Sequence, residues 1–336
     1  MKSARRSTLL DPRLCAVAAP ARRRAGARSL SRLSPTRSLA AVAALVAALT
    51  ATSGSLSAFA TSSPTPGTAA QVAALVAGSV SIVSADATVL SELPAAKLDI
   101  ADIVYSIPAT CNTATTCVYG KTTSTKTIVL YGNSHARMWL PSIIPAAITN
   151  NLKIVLLGLN GCPVVDINLT GSNYAGCNQN RTQVFAVINA LHPKAVLLAD
   201  RTVGSLFTVK QWQAGMSATI HAIKPSGAHV VIIGDIQQFN ASPPECLAAY
   251  PTNVQAKCSI PNPNPKLKGL EPAELAAAIA AKDLYVNPVH WLCTATKCSP
   301  VIGDFIAYWG ADHVSVTYAR YLSKVMGLTL HKTMTS

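Results

Sequence analysis

Between Lys126 and Met326 the chain alternates short apolar runs with longer stretches of mixed character. The runs Thr127–Tyr131, Lys153–Leu157, Ala195–Ala199, His229–Gly234 and Leu284–Val286 are rich in Val, Ile and Leu. They are too short for stable helices and predict buried strands. The stretches between them, about 137–150, 178–191, 208–224 and 271–282, predict helices. A last helix is expected from about Ser315 to Met326. Strands that are apolar along their whole length, separated by helices, predict an α/β fold whose mostly parallel sheet is covered on both faces. Upstream, Val72, Leu75, Val76 and Val80 fall at helical spacing and predict a short helix within 69–83. Residues 84–126 are rich in Thr, Ala and Ser, show no long periodic run, and read as a lead-in. The Pro- and Asn-rich stretch Asn240–Leu267 breaks the rhythm and reads as an excursion near the C-terminal edge of the sheet.

The first strand ends in Gly132, and Ser134 follows two residues later. Strand, tight turn and helix opening would put this hydroxyl at the C-terminal edge of a parallel strand, where open α/β sheets place their sites. Backbone N–H groups and a helix N-terminus beside it would suit an oxyanion. Asn133-Ser134 is equally an ordinary helix N-cap pair, so the turn alone leaves both readings open. A serine nucleophile needs a base. His313, in Tyr308-Trp309-Gly310-Ala311-Asp312-His313-Val314-Ser315, sits before the last expected helix, where a loop can return to the same edge. Imidazole can take the serine proton and pass it to a leaving group. Asp312 is adjacent, but neighbouring side chains seldom point the same way.

Charge narrows the function classes. The formal net charge is +14, yet residues 1–38 hold ten of the 28 Lys/Arg and one of the 14 acids, so most of the excess belongs to the tail. No basic stripe with interleaved aromatics remains in the body, and no nucleic-acid partner is expected. The Arg-rich tail, the apolar stretch Leu39–Leu49 and the Ala58-Phe59-Ala60 site form the three parts of a secretion signal. Residues 1–60 therefore read as a signal peptide or signal-anchor, and 61–104 as linker and lead-in helix. The chain is expected to be exported, secreted or tethered by that one segment.

Cysteine usage agrees with export. Cys15 lies in the tail, and the other eight cysteines fall into four sequence-local couples. In an exported chain these imply disulfides Cys111–Cys117, Cys162–Cys177, Cys246–Cys258 and Cys293–Cys298 as the simplest pairing. Zinc is the rival reading, but no couple has C-x₂-C spacing and no His-x₃-His pair stands nearby. No metal and no cofactor are expected.

Gly132-Asn133-Ser134-His135-Ala136 followed by Trp139 resembles the GDSHA-x-x-W block of SGNH hydrolases, and more closely the extracytoplasmic SGNH domain of acyltransferase-3 proteins. Gly161-Cys162-Pro163 is similar to the second block. Ala195–Ala199 with Arg201 falls where the third block's strand does. Gly234-Asp235 leads into Pro243-Pro244-Glu245-Cys246-Leu247, similar to a cysteine-bearing loop. Tyr285 through Val301 and Tyr308 through Ser315 resemble the last two blocks. The match runs in order over about 105–328, within an SGNH-like domain drawn as 105–330.

The resemblance implies a three-layer, flavodoxin-like α/β/α fold. It implies Ser134 as nucleophile, His313 as base, and oxyanion donors from the Ser134 N–H and the Gly161 region. Asn133, Arg201, Trp139 and Trp309 become candidates for substrate binding, the two tryptophans because aromatic faces suit sugar rings. It implies an exported serine O-acyltransferase or acetylesterase acting on a cell-envelope polysaccharide or glycan. The multi-helix membrane domain is missing, so a transferase would need a separate membrane acyl-donor protein. Two positions depart from the family pattern. Asn133 stands where the family carries Asp, and Gly310 stands where an Asp orients the histidine. Gly310 cannot orient anything, and Asp312 could substitute only if its loop is re-routed. A non-catalytic glycan-binding module on the same fold is the alternative these departures motivate.

Overall fold

The computed structural model describes residues 63–100, 110–202, 207–264 and 269–335. The expected signal segment lies outside them. The described residues lie in the compact unit Thr61–Ser336.

Its strands are β1 (Thr110–Cys111), β2 (Val118–Gly120), β3 (Thr127–Gly132), β4 (Lys153–Leu159), β5 (Ala195–Ala199), β6 (His229–Ile233), β7 (Ile260–Pro261) and β8 (Leu284–Val286). Short strands β9 (Lys297–Cys298), β10 (Val301–Ile302), β11 (Phe305–Ile306), β12 (Tyr308–Trp309) and β13 (His313–Val314) follow. The main sheet runs β1-β4-β3-β5-β6-β8, with β2 also paired to β4. Strands β3, β4, β5, β6 and β8 pair in parallel, while β1 and β2 run antiparallel to β4. The parallel strands stand in the order 2-1-3-4-5 of the flavodoxin-like fold. Its switch point, where ligands bind, lies between the strands here called β3 and β5.

The alternation along these strands explains the layers. Ile128 and Leu130 of β3, Ile154 and Leu156 of β4, and Val231 and Ile233 of β6 face one core with Trp139, Leu140, Ile143, Leu322 and Met326. Their neighbours Val129, Tyr131, Val155, Leu157, Val230 and Ile232 face the other, with Val184, Trp212, Met216 and Ala277. Helices Leu140–Thr149, Val316–Tyr321 and Ser323–Thr335 cover the first face; Cys177–Leu191, Val209–Ile223 and Glu271–Ala281 cover the second. Burial on both faces is why the strands read as unbroken apolar runs.

The lead-in contributes more than one short helix. Helix Ala69–Ser79 buries Val72 and Val76 in the first core. A second helix, Ala87–Ala96, starts on an Asp86 cap and packs Val89 and Ala96 against Leu247, Val254, Val301 and Ile306. The expected helix 137–150 is two pieces, Ser134–Arg137 and Leu140–Thr149, because Pro141 restarts the helix at its first turn. The last expected helix is likewise split, at Leu322. All four expected disulfides are formed. No helix among the described residues is long and apolar enough to cross a membrane.

Candidate active site

Strand β3 delivers Ser134 to the switch point through close contact between backbones. A Cβ on Gly132 would sit 1.8 Å from the Ala199 carbonyl oxygen of β5. Gly158 of β4 has φ +125°, and a Cβ there would sit 2.1 Å from the Gly132 carbonyl oxygen. Only glycine at both positions lets the three strand ends converge. From Thr127 to Ile143 every residue is buried except Ser134. The one position that surfaces in this buried stretch is Ser134.

The residues on either side of Ser134 are held by carboxylates at the ends of β5 and β6. Asn133 accepts the His135 backbone N–H at 2.9 Å through Oδ1, and its Nδ2 donates to Oδ1 of Asp200. Asp200 also accepts the Val164 N–H at 2.7 Å and the Arg201 N–H at 3.1 Å. Full burial holds the Asp200 carboxyl well above the usual carboxylate range, against these hydrogen bonds. On the other side, His135 Nδ1 lies 2.7 Å from Asp235 Oδ1. The Asp235 carboxylate accepts the Thr202 N–H at 2.7 Å as well. A carboxylate partner puts the imidazole proton on Nδ1, and the His135 Nε2 is buried without a hydrogen-bond partner.

The C-terminal hairpin brings the second imidazole to the same place. β12 and β13 pair with Trp309 opposite His313, and Gly310 takes φ +60° in the connection. Asp312 lies against its own neighbour: His313 Nδ1 is 2.8 Å from Asp312 Oδ1. The two adjacent side chains meet, which corrects the expectation that they diverge. The His313 ring centroid is 4.7 Å from that of His135, the residue after Ser134. Its Nε2 is buried and makes no hydrogen bond, so no bond to Ser134 is formed in this state.

Charge around the pair is uneven. Arg201 Nε lies 3.2 Å from Asp312 Oδ2, and His135 Nε2 lies 3.9 Å from the same oxygen. Burial raises the Asp312 carboxyl, but the hydrogen bond from His313 and the charges of His313, His135 and Arg201 outweigh it and bring it to about 2. Burial lowers the His313 ring below its ordinary value; the Asp312 bond opposes this, and the charge of His135 adds to it. The lowered ring favours neutral His313, and the Asp312 partner at Nδ1 favours a lone pair on Nε2 beside an ionised carboxylate. His135, Asp312 and His313 offer ligand atoms within 4.8 Å of one another. Asp312 already serves Arg201 and His313 with its two oxygens, so an ion would have to displace a cationic partner.

Other sequence candidates fall in different places. Trp139 is fully buried, packed edge-on against Trp291 with centroids 5.8 Å apart. It is a core residue, which corrects its assignment to a sugar site. Asn133 is also buried; it braces the serine turn and is out of reach of substrate. Trp309 is half-buried at the rim, 5.9 Å from the His313 ring, with its Nε1 donating to the Lys97 carbonyl at 3.0 Å. Arg201 is exposed at 45% and also reaches Gln238 at 3.2 Å. Gly161 is exposed, with φ +76° and open space around it. Asp200 and the Asp235–His135 pair were not anticipated; a carboxylate one or two residues after a buried parallel strand is the signal that marks both.

Comparison with known proteins places this geometry in context. The model of the family described as "SGNH domain (fused to AT3 domains)" matches residues 105–327. No curated protein matches the chain. The periplasmic domain of a lipopolysaccharide acetyltransferase from Salmonella ser. Paratyphi A is similar in fold, with TM-score 0.52 at 16% identity, over 61% of this chain and 83% of that one. A putative SGNH hydrolase from Slackia heliotrinireducens gives TM-score 0.39 at 13% identity, over 61% and 98%. A GDSL-like lipase from Bacteroides thetaiotaomicron gives 0.36 at 11%, over 62% and 89%.

Proposed function

The chain belongs to the SGNH domain family that is found fused to AT3 domains, and on that premise we propose that it is an exported serine acyl-transfer enzyme acting on cell-envelope glycans. The observation that carries the reading is His313. Its Nδ1 is fixed by Asp312 at 2.8 Å, and its ring lies 4.7 Å from the ring next to Ser134. Orienting carboxylate, imidazole and surfacing serine are the components of a Ser-His site.

In this mechanism His313 Nε2 takes the Ser134 Oγ proton as Oγ attacks the acyl carbonyl. The tetrahedral oxyanion is met by the Ser134 and Gly161 N–H groups. Collapse breaks the acyl–oxygen bond, and His313 gives its proton to the leaving alcohol. A sugar hydroxyl or water then attacks the acyl-enzyme and passes its proton to His313; collapse breaks the acyl–Oγ bond, and His313 returns that proton to Ser134 Oγ. Asp312 stays ionised throughout and stabilises the imidazolium. Arg201 and Trp309, both at the rim, bind the glycan. A membrane protein of the acyltransferase-3 type supplies the acyl group. Four disulfides support work outside the cytoplasm.

Hydrolysis or transfer of an acetyl ester by wild type and Ser134→Ala tests the proposal. Loss of turnover in the variant is expected; equal rates would remove the serine mechanism. One observation favours a second reading, a glycan-binding module without chemistry: His313 Nε2 makes no hydrogen bond. Catalytic hydrogen bonds often close only when substrate is bound, so the first reading is preferred. Saturable polysaccharide binding with no turnover of any ester would support the second.

A further inference from the structure

Asp200 is an almost fully buried carboxylate directly after β5. It spans three segments. Oδ1 receives the amide of Asn133, the residue before Ser134, and the Arg201 N–H. Oδ2 receives the Val164 N–H at 2.7 Å from the loop after β4 that carries Gly161. Asn133 cannot turn away, because its own Oδ1 is engaged by the His135 N–H at 2.9 Å. The serine turn and the Gly161 loop are therefore connected through one side chain.

We propose that Asp200 is a positioning residue that sets the distance between the Ser134 nucleophile and the backbone donors of the Gly161 loop. This deepens the Ser-His reading and rests on it for its consequence in rate. The donor pattern explains the residue types. Asn133 needs one acceptor face for the His135 N–H and one donor face for residue 200, which an amide alone supplies. Residue 200 must accept from both sides, which a carboxylate does and an amide does not. A carboxylate at position 133 would set two acids face to face in a buried site, where both cannot ionise. An amide at position 200 would point an N–H at either the Asn133 amide or the Val164 N–H. Exchanging the two side chains restores every bond between elements. The carboxylate, now at position 133, would accept from the His135 N–H and from the amide at position 200. The oxygen of that amide would accept from the Val164 N–H.

The test is the cycle Asn133→Asp, Asp200→Asn and the double exchange, in the full chain. Two readouts are taken: the backbone amide resonances of Ser134, His135 and Val164, and kcat for acetyl-ester hydrolysis. Each single variant should move the three resonances together and lower kcat by about 100-fold, the size of effect of a misplaced catalytic group. The double exchange should return the resonances toward wild type and recover most of kcat. If a single variant is unfolded, the folded double exchange still reads the coupling against wild type. Resonances of Ser134 that stay fixed in a folded Asp200→Asn variant would overturn the proposal. So would a double exchange whose three resonances return while kcat stays at the single-variant level. A wild-type protein without esterase activity would instead defeat the Ser-His reading, leaving the resonances to decide whether Asp200 governs the turn.

Discussion

Asp312 Oδ1 lies 2.8 Å from Nδ1 of His313, the next residue along the chain. Gly310 takes φ +60° in the connection of the β12–β13 hairpin that carries both residues. The carboxylate fixes the ring's tautomer and leaves Nε2 as the basic nitrogen. Replacing Asp312 by Asn should lower kcat by about 10²–10⁴-fold, toward the loss seen when the triad carboxylate of serine proteases is amidated. KM should change little. Steady-state kinetics on an acetyl ester checks this, and an unchanged kcat would show that Asp312 does not orient the base.

The pH profile follows from the same pair. Burial, then the nearby charge of His135, keeps His313 below the ordinary histidine value despite Asp312. A base must be neutral to act, so kcat/KM should fall on the acid side with a midpoint below about 6.5. The sign for stability is the same. The unfolded chain protonates this histidine before the folded one does, so its contribution is complete above the ordinary value and declines as pH falls through the folded one. Asp312, held at about 2, adds no second step in that window. A rate profile with a midpoint above about 7 would contradict this arrangement.

The two candidate tryptophans should separate cleanly. Trp139 is fully buried, so Trp139→Ala should cost about 3–5 kcal/mol of stability, read as a lower midpoint in denaturant. Trp309 is half-buried at the rim beside His313, so Trp309→Ala should weaken glycan binding several-fold with a smaller stability loss. Isothermal titration with envelope polysaccharide and chemical denaturation measure the two effects. The opposite assignment would show that the rim does not contact sugar.

Much of the fold was legible because β3, β4, β5 and β6 are buried on both faces and so carry unbroken apolar runs. Helix Ala87–Ala96 was not, since it buries only Val89 and Ala96 and contains Pro94. The break before Leu140 could have been read from Pro141, which favours a new helix start over a continuous one. Within the site, Ser134 and His313 were visible as residue types next to turns. Asp200 and Asp235 were not, because their roles depend on which strand ends lie side by side. Arg201, a candidate from the sequence, stands one position from the carboxylate that holds the turn. Gly310 reads as a lost aspartate, and the carboxylate on the His313 ring comes instead from Asp312, the residue next to it.

The Cys162–Cys177 disulfide ties the segment after Gly161 to the start of helix Cys177–Leu191. Its sequence separation is 15, and closing a loop of that size stabilises by about 3 kcal/mol. Cys162→Ser/Cys177→Ser should lower the melting temperature and, by loosening the Gly161 loop, lower kcat more than KM changes. Circular dichroism melts and ester kinetics check both. A variant with a lowered melting temperature and wild-type kcat would separate that loop from oxyanion stabilisation.

Covalent trapping reads the Ser134–His313 couple at the reacting atom. The full chain is treated with a serine-reactive fluorophosphonate, and the adduct is mapped by peptide mass spectrometry. Stoichiometric labelling on Ser134 is expected, slowed by orders of magnitude in His313→Ala and in Asp312→Asn. Labelling at another residue, or labelling of Ser134 at an equal rate without His313, would contradict it.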